Sequence, residues 1–159
     1  MTDIPIIVEY NPNADTRTAK GRPSYAQVTS ASTNHIVDVQ NAMNFLLEIM
    51  SDASENHDYD KIDDSEGFYR DFINSLTTGV SFTDGTWYQR HKNERHHSIE
   101  TLEDVNLLDI LEYTCDCVCA TLARTGQKKP IGSPSPETLM KAWENTVKLL
   151  YDNMELLNG

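Results

Sequence analysis

Three histidines, His91, His96 and His97, fall within seven residues of the stretch TWYQRHKNERHHSIE, residues 86–100. The chain has five histidines in all. His57 is followed at once by Asp58 in SENHDYDK, and His35 stands in TNHIVDVQ. Imidazole and carboxylate groups bind divalent cations and move protons near neutral pH, so clustering of the two types points first to metal or acid–base chemistry. Adjacent His and Asp side chains diverge on a regular helix, but at a helix end or a distorted turn both can meet one cation. The plain alternative for the pair is a solvated acidic loop, since Asp60, Asp63, Asp64 and Glu66 follow. For the cluster 91–97 it is a polar turn whose histidines face water. His35 is expected to point inward or to a cleft, either as a hydrogen-bonded core residue or as a ligand.

Further along, Asp109, Glu112 and Asp116 stand at i, i+3 and i+7, one face of a helix. That face borders an apolar stripe, so Asp116 is expected to be partly buried among Cys115, Cys119 and Ala120. A buried carboxylate is costly unless it is paired, hydrogen-bonded or bound to metal. Arg124 or a helix N-terminus is the non-metal way to satisfy it.

These residues need a scaffold, and the sequence predicts an all-α domain of about five helices. Residues 1–32 read as an extension: IPIIVEY as a possible short strand, the remainder as loop rich in turn formers. The pattern STNHIVDVQNAMNFLLEIM predicts a helix capped by Ser32, Thr33 or Asn34, with His35, Val39, Ala42, Leu46 and Ile49 near one face. FYRDFINSLTTG predicts a short helix ended by Gly79, and helix is expected again near Trp87. The strongest signal lies in IETLEDVNLLDILEYTCDCVCATLART. There Leu107, Leu108, Leu111, Cys115, Val118, Cys119 and Leu122 form an apolar stripe, and Gly126 ends the helix. PETLMKAWENTVKLLYDNMELL predicts a last helix with Trp143, Val147, Leu150 and Met154 inward.

Composition narrows the partners. The formal net charge is −12 over 159 residues, a surface that repels nucleic-acid backbones and anionic lipids. No long nucleic acid and no membrane is therefore expected as partner. A small anionic ligand remains compatible where a metal supplies local positive charge. MTDIPIIVEY lacks the basic start and long apolar core of a signal peptide, and a cytoplasmic protein is expected. Cys115, Cys117 and Cys119 are odd in number and lack C-x2-C spacing, which fits neither a disulfide framework nor a zinc knuckle.

A separated His, a His-Asp pair, a histidine cluster and a late helical Asp, in that order, resemble the HD superfamily of metal-dependent phosphohydrolases. More narrowly the chain is similar to an uncharacterised HD-like family of phage and bacterial proteins. The likeness runs over roughly residues 33–150 and is carried by His35, HDYDK (57–61), WYQRHKNERHH (87–97) and LLDILEYTCDC (107–117). Tyr59 and Asp60 stand where that family usually has Leu-Ser, and Cys117 where it often has Trp. The resemblance implies an HD-like helical bundle over residues 33–159, in which His35, His57, Asp58 and Asp116 hold a divalent cation. Mixed imidazole and carboxylate ligation suits Mn, Fe, Co, Ni or Zn. His91 with His96 or His97 would complete a second metal, bind phosphate as cations or protonate a leaving group. Lys61 and Arg95 would contact phosphate oxygens, and Glu112 would orient a ligand histidine or act as base to a water. The expected function is hydrolysis of a small phosphate ester, with a nucleotide the expected substrate. From a different class comes an acidic phage accessory protein that binds a host protein, its metal site structural or inactive.

Overall fold

The computed structural model describes residues 5–157. They are mostly helical, with one pair of short strands. The chain divides into two compact units, Met1–Met50 with Val147–Gly159, and Ser51–Thr146.

In the first unit β1 (Ile6–Glu9) pairs in parallel with β2 (Met154–Leu157), Ile6 facing Met154. The strand expected in IPIIVEY is present, while Ile4 lies outside the described residues. β2 ends the last helix at Asp152, so Met154 sits in a strand and not on the helix face expected for it.

The helix α1 spans Tyr25–Asn56 and starts well before the expected cap at residues 32–34. The cause is local. The Ser24 backbone N–H donates to Gln27 Oε1 at 2.8 Å and the Gln27 N–H donates back to Ser24 Oγ at 3.3 Å. This reciprocal pair is a capping box, S-x-x-Q, which satisfies two N–H groups that a helix start otherwise leaves bare. Ser32 and Thr33, expected as caps, lie inside the helix and return their hydroxyls to the carbonyls of Val28 and Thr29. Residues 25–32 are therefore helix and not loop.

The second unit carries α2 (Asp60–Asp63), α3 (Ser65–Thr78), α4 (Thr86–His91) and α5 (Leu107–Thr125). It also holds the first part of α6 (Pro136–Asp152). α3 begins at Asp64, whose side chain accepts from the Gly67 N–H, and ends at Gly79 with φ 75°. α5 begins at a capping box of Asn106 and Asp109 and ends at Gly126 with φ 65°. Both glycines sit where the chain turns left-handed, a conformation that a side chain resists.

Ile99, Val105 and Ala142 form the small buried core of this unit, with Leu102, Leu107, Ile110 and Tyr113 packed on it. Val105 is fully buried. A second cluster is aromatic: Phe68 of α3 meets Phe82 and Trp87, Phe72 meets Phe82, and Tyr88 joins through Phe82, with ring centroids 4.8–6.2 Å apart. The Asp71 carboxylate accepts from the Trp87 N–H at 2.7 Å and ties the start of α4 to α3.

The apolar stripe expected on α5 is turned outward. Leu108 is buried, but Leu111, Val118, Leu122, Cys115 and Cys119 are exposed. The face turned in carries Asp109, Glu112, Asp116 and Ala120, because these carboxylates are held by partners across the unit. On α6 the buried residues are Thr138, Ala142 and Thr146, and Trp143, expected inward, is 58% exposed. Small residues let α6 approach closely: the Thr146 hydroxyl accepts from the Leu107 N–H and donates to the Ala142 carbonyl. Among the described residues no helix is long and apolar enough to cross a membrane.

Candidate metal centre

The centre is built around Asp58, in the turn between α1 and α2. Its φ is +52°, and no other described non-glycine residue has positive φ. An L-residue resists this conformation, and surrounding contacts hold it. Lys61, one turn on, pairs with Asp58 Oδ2. The other oxygen, Oδ1, lies 3.5 Å from His91 Nε2, 3.4 Å from His96 Nε2 and 3.6 Å from His97 Nε2. Three imidazole nitrogens, one from the end of α4 and two from the turn that follows, thus converge on one carboxylate oxygen. His57 Nε2 joins from the other side, 3.6 Å from Asp58 Oδ2 and 3.9 Å from Asp116 Oδ1.

The histidines are aimed by carboxylates behind them. His91 Nδ1 stands 3.0 and 3.1 Å from the two oxygens of Asp60. Glu112 Oε1 is 3.0 Å from His57 Nδ1 and 3.0 Å from His96 Nδ1. An ionised carboxylate only accepts, so each Nδ1 is placed to donate its hydrogen, which leaves Nε2 as the nitrogen free to meet a cation. That is the arrangement by which carboxylates orient metal-binding histidines. The Trp87 ring stacks on His91 at 4.6 Å, with 21° between planes, and fixes the imidazole from the side.

The loop carrying His96 and His97 is a 3-10 turn, Arg95–His97. Arg95 anchors it. Its Nε and Nη2 donate to the two oxygens of Asp109 at 2.7 Å each, and its Nη1 reaches Asp104. Asp109 is only 5% exposed, and its Oδ2 also accepts from the Asn106 N–H at 2.8 Å. One carboxylate therefore caps α5 and pins the histidine turn. Arg95 does not take the phosphate role expected of it, because its guanidinium is consumed by these acids. They also hold its pKa above the usual arginine value, the Asp109 hydrogen bonds contributing most.

His35 is the other correction. It is exposed near the middle of α1 in the first unit and belongs to none of the ligand groups found among the described residues. The ligand role was implied by the resemblance alone, and the exposed side chain of His35 is in none of the groups among the described residues that could hold an ion. Lys61 stays at the site but spends its charge first on Asp58.

Protonation states follow from burial and charge. Burial pushes His97 down to about 4, helped by the neighbouring His96 and His91. Burial also lowers His96. Both rings are thus neutral at pH 7, with lone pairs available. For His57 burial acts downward too, but the Glu112 hydrogen bond and the charges of Asp58, Glu112 and Asp116 outweigh it and raise the pKa. Burial would raise Asp58, but Lys61 and then the His57 and His91 charges hold it below the usual carboxylate range. Glu94, 3.8 Å from both His91 Nδ1 and His96 Nδ1, is pushed up to about 7 by burial and by Asp60 and Asp58.

The residues present fit a divalent cation. Asp58 Oδ1 and His96 Nε2 are buried with no hydrogen-bond partner, and orphaned buried polar atoms of this kind are costly unless an ion satisfies them. His96 is 1% exposed. The Nε2 atoms of His91 and His97 face each other at 2.9 Å, two nitrogens of which at least one has only a lone pair to offer. Groups such as Asp58–His96–His97 and His57–Asp58–Asp116 place one ligand atom each within 4.8 Å of the others and could hold a metal ion.

Sequence reasoning named His57, Asp58, His91, His96, His97, Glu112 and Asp116, and the fold brings all of them together. It passed over Asp60 and Glu94. Asp60 looked like one acid among several, and only its position opposite His91 distinguishes it. The Trp87–His91 stack was signalled by i, i+4 spacing on one helix face. No protein-family model, no curated protein and no solved structure matches the chain.

Proposed function

We propose that this chain is a metal-dependent phosphohydrolase of small phosphate esters. The observation that carries the reading is the convergence of three Nε2 atoms on Asp58 Oδ1, with Asp58 Oδ1 and His96 Nε2 buried and unpartnered. Asp58, His91, His96 and His97 would hold one cation, and His57 and Asp116 would complete its sphere or hold a second. The donor set of neutral imidazoles and carboxylates favours Mn, Fe, Co, Ni or Zn over the all-oxygen preference of Mg or Ca. Such a cation, when bound, supplies Lewis acidity toward a phosphoryl oxygen and makes an attacking water more acidic.

The chain itself does the positioning. Asp60 and Glu112 fix the imidazoles, and Arg95 holds the turn that presents two of them. Lys61 touches Asp58 and also lines the cavity beside the centre, where its ammonium would neutralise a second phosphoryl oxygen. His91 and His97 line the same cavity, so two imidazoles of the centre face an incoming substrate. The resemblance noted in the sequence supports the same chemistry as an analogy.

The test is hydrolysis of p-nitrophenyl phosphate by the purified chain with Mn²⁺ or Co²⁺ added, next to Asp58→Ala. The reading expects metal-dependent release of p-nitrophenol, abolished by chelator and lost in the variant. Stoichiometric metal binding with no turnover of any phosphate ester would overturn the catalytic part.

A further inference from the structure

We infer that the cavity beside the metal centre binds the base of a nucleotide, and that Arg124 selects bases presenting carbonyl oxygens. The inference rests on the phosphohydrolase reading for where the phosphate lies. The cavity has a volume of about 520 Å³, within the range of pockets that enclose small organic ligands. At one end it meets His91, His97 and Asp116 of the centre. Its wall is aromatic, with Phe72, Phe82 and Tyr88 among the lining residues. Phe72 is half exposed although it belongs to the aromatic cluster, so a ring face remains open to a flat partner. Nucleobases stack on such faces whatever their identity.

The far end is set by α5. Asp116, Ala120 and Arg124 follow at i, i+4 and i+8 and all line the cavity. The acid and the guanidinium are therefore about 12 Å apart along the helix axis. The small Ala120 leaves the space between them open. A phosphate at the Asp116 end, a sugar over Ala120 and a base at the Arg124 end match this order.

Arg124 forms no ion pair with any described residue, on a chain of net charge −12. Its side chain offers donors and no acceptor. Ser75 also lines the cavity, and its hydroxyl serves either role. Guanine, uracil and thymine present carbonyl oxygens to such an end, and Arg pairs with the O6 and N7 edge of guanine. Adenine presents an amino donor next to its ring nitrogen and leaves a guanidinium poorly matched.

The experiment is calorimetric titration of the Mn²⁺-loaded chain with 5′-phosphonate analogues of guanosine, uridine and adenosine monophosphate, whose P–C bond resists hydrolysis. Guanosine and uridine analogues should bind at least tenfold tighter than the adenosine analogue. Arg124→Gln should bring the three together, and Phe72→Ala should weaken all of them about tenfold. Equal affinities in the wild type, no binding of any analogue, or a preference that survives in Arg124→Gln would each overturn the inference. Mn²⁺-dependent hydrolysis of p-nitrophenyl phosphate without base preference sinks this inference and leaves the phosphohydrolase reading standing. Base preference without hydrolysis does the reverse.

Discussion

Asp58 is asked to do two things with its two oxygens. One pairs with Lys61, and the other faces three imidazole nitrogens. Asp58→Asn keeps the shape, removes the charge and places an amide among lone pairs, so divalent-metal affinity should fall by 100-fold or more, read by calorimetry. Asp60→Asn and Glu112→Gln should each cost about 10–100-fold, the range for groups that orient metal-binding histidines. If both variants bind metal as the wild type does, the carboxylates do not set the tautomers. Glu94 gives a pH test in the metal-free chain. Its folded pKa, about 7, lies above the ordinary carboxyl value near 4.5. The unfolded chain therefore releases this proton first as pH rises, and stability from Glu94 is present below about 4.5 and lost as pH climbs through 7. Glu94→Gln, which stays neutral, should raise Tm relative to wild type more at pH 8 than at pH 5. An equal difference at both values would show that Glu94 is not held protonated.

At the scale of elements, the placement of the site depends on how helix ends are secured. The Arg95–Asp109 pair joins the histidine turn to the first turn of α5. Arg95→Met would leave a buried carboxylate with one partner fewer, and should cost about 2–3 kcal/mol in denaturant unfolding. It should also weaken metal binding, because His96 and His97 lose their anchor. Unchanged metal affinity in a folded Arg95→Met chain would break that link. The start of α1 is a case where the sequence held a signal that periodicity concealed. Ser24 and Gln27 are spaced as a capping box, but they precede a run of Ser and Thr that reads as loop. Inside a long helix those hydroxyls bond back to carbonyls one turn earlier. On α5 the error had a different origin. A wide apolar stripe normally marks the buried face, yet here the acids at 109, 112 and 116 turn inward because Arg95 and the histidines hold them. The turns at Gly79 and Gly126 were legible because left-handed backbone selects glycine. The grouping of His57, Asp58, the cluster 91–97 and Asp116 was legible because few residue types bind metals and the chain gathers its histidines in three short blocks. Which imidazole faces which oxygen was not, since that depends on the Asp58 turn and on carboxylates remote in sequence.

For the whole molecule, an acidic surface and a buried cluster of unsatisfied ligand atoms point the same way. With a net charge of −12, a bound divalent cation relieves local repulsion among Asp58, Asp60, Glu112 and Asp116 as well as satisfying orphaned atoms. A ligand at 100 times its Kd stabilises the folded state by about 2.7 kcal/mol. For a chain of this length each kcal/mol moves Tm by roughly 2–4 °C. Saturating Mn²⁺ or Zn²⁺ should therefore raise Tm by about 5–10 °C over chelator, and Asp58→Asn should abolish the rise. The central claim is that neutral imidazoles and Asp58 meet at one cation. X-ray absorption at the cobalt edge of the Co²⁺-loaded chain addresses it directly: a first shell of mixed nitrogen and oxygen with scattering from two or more imidazole rings is predicted, and an all-oxygen shell without imidazole scattering would contradict it.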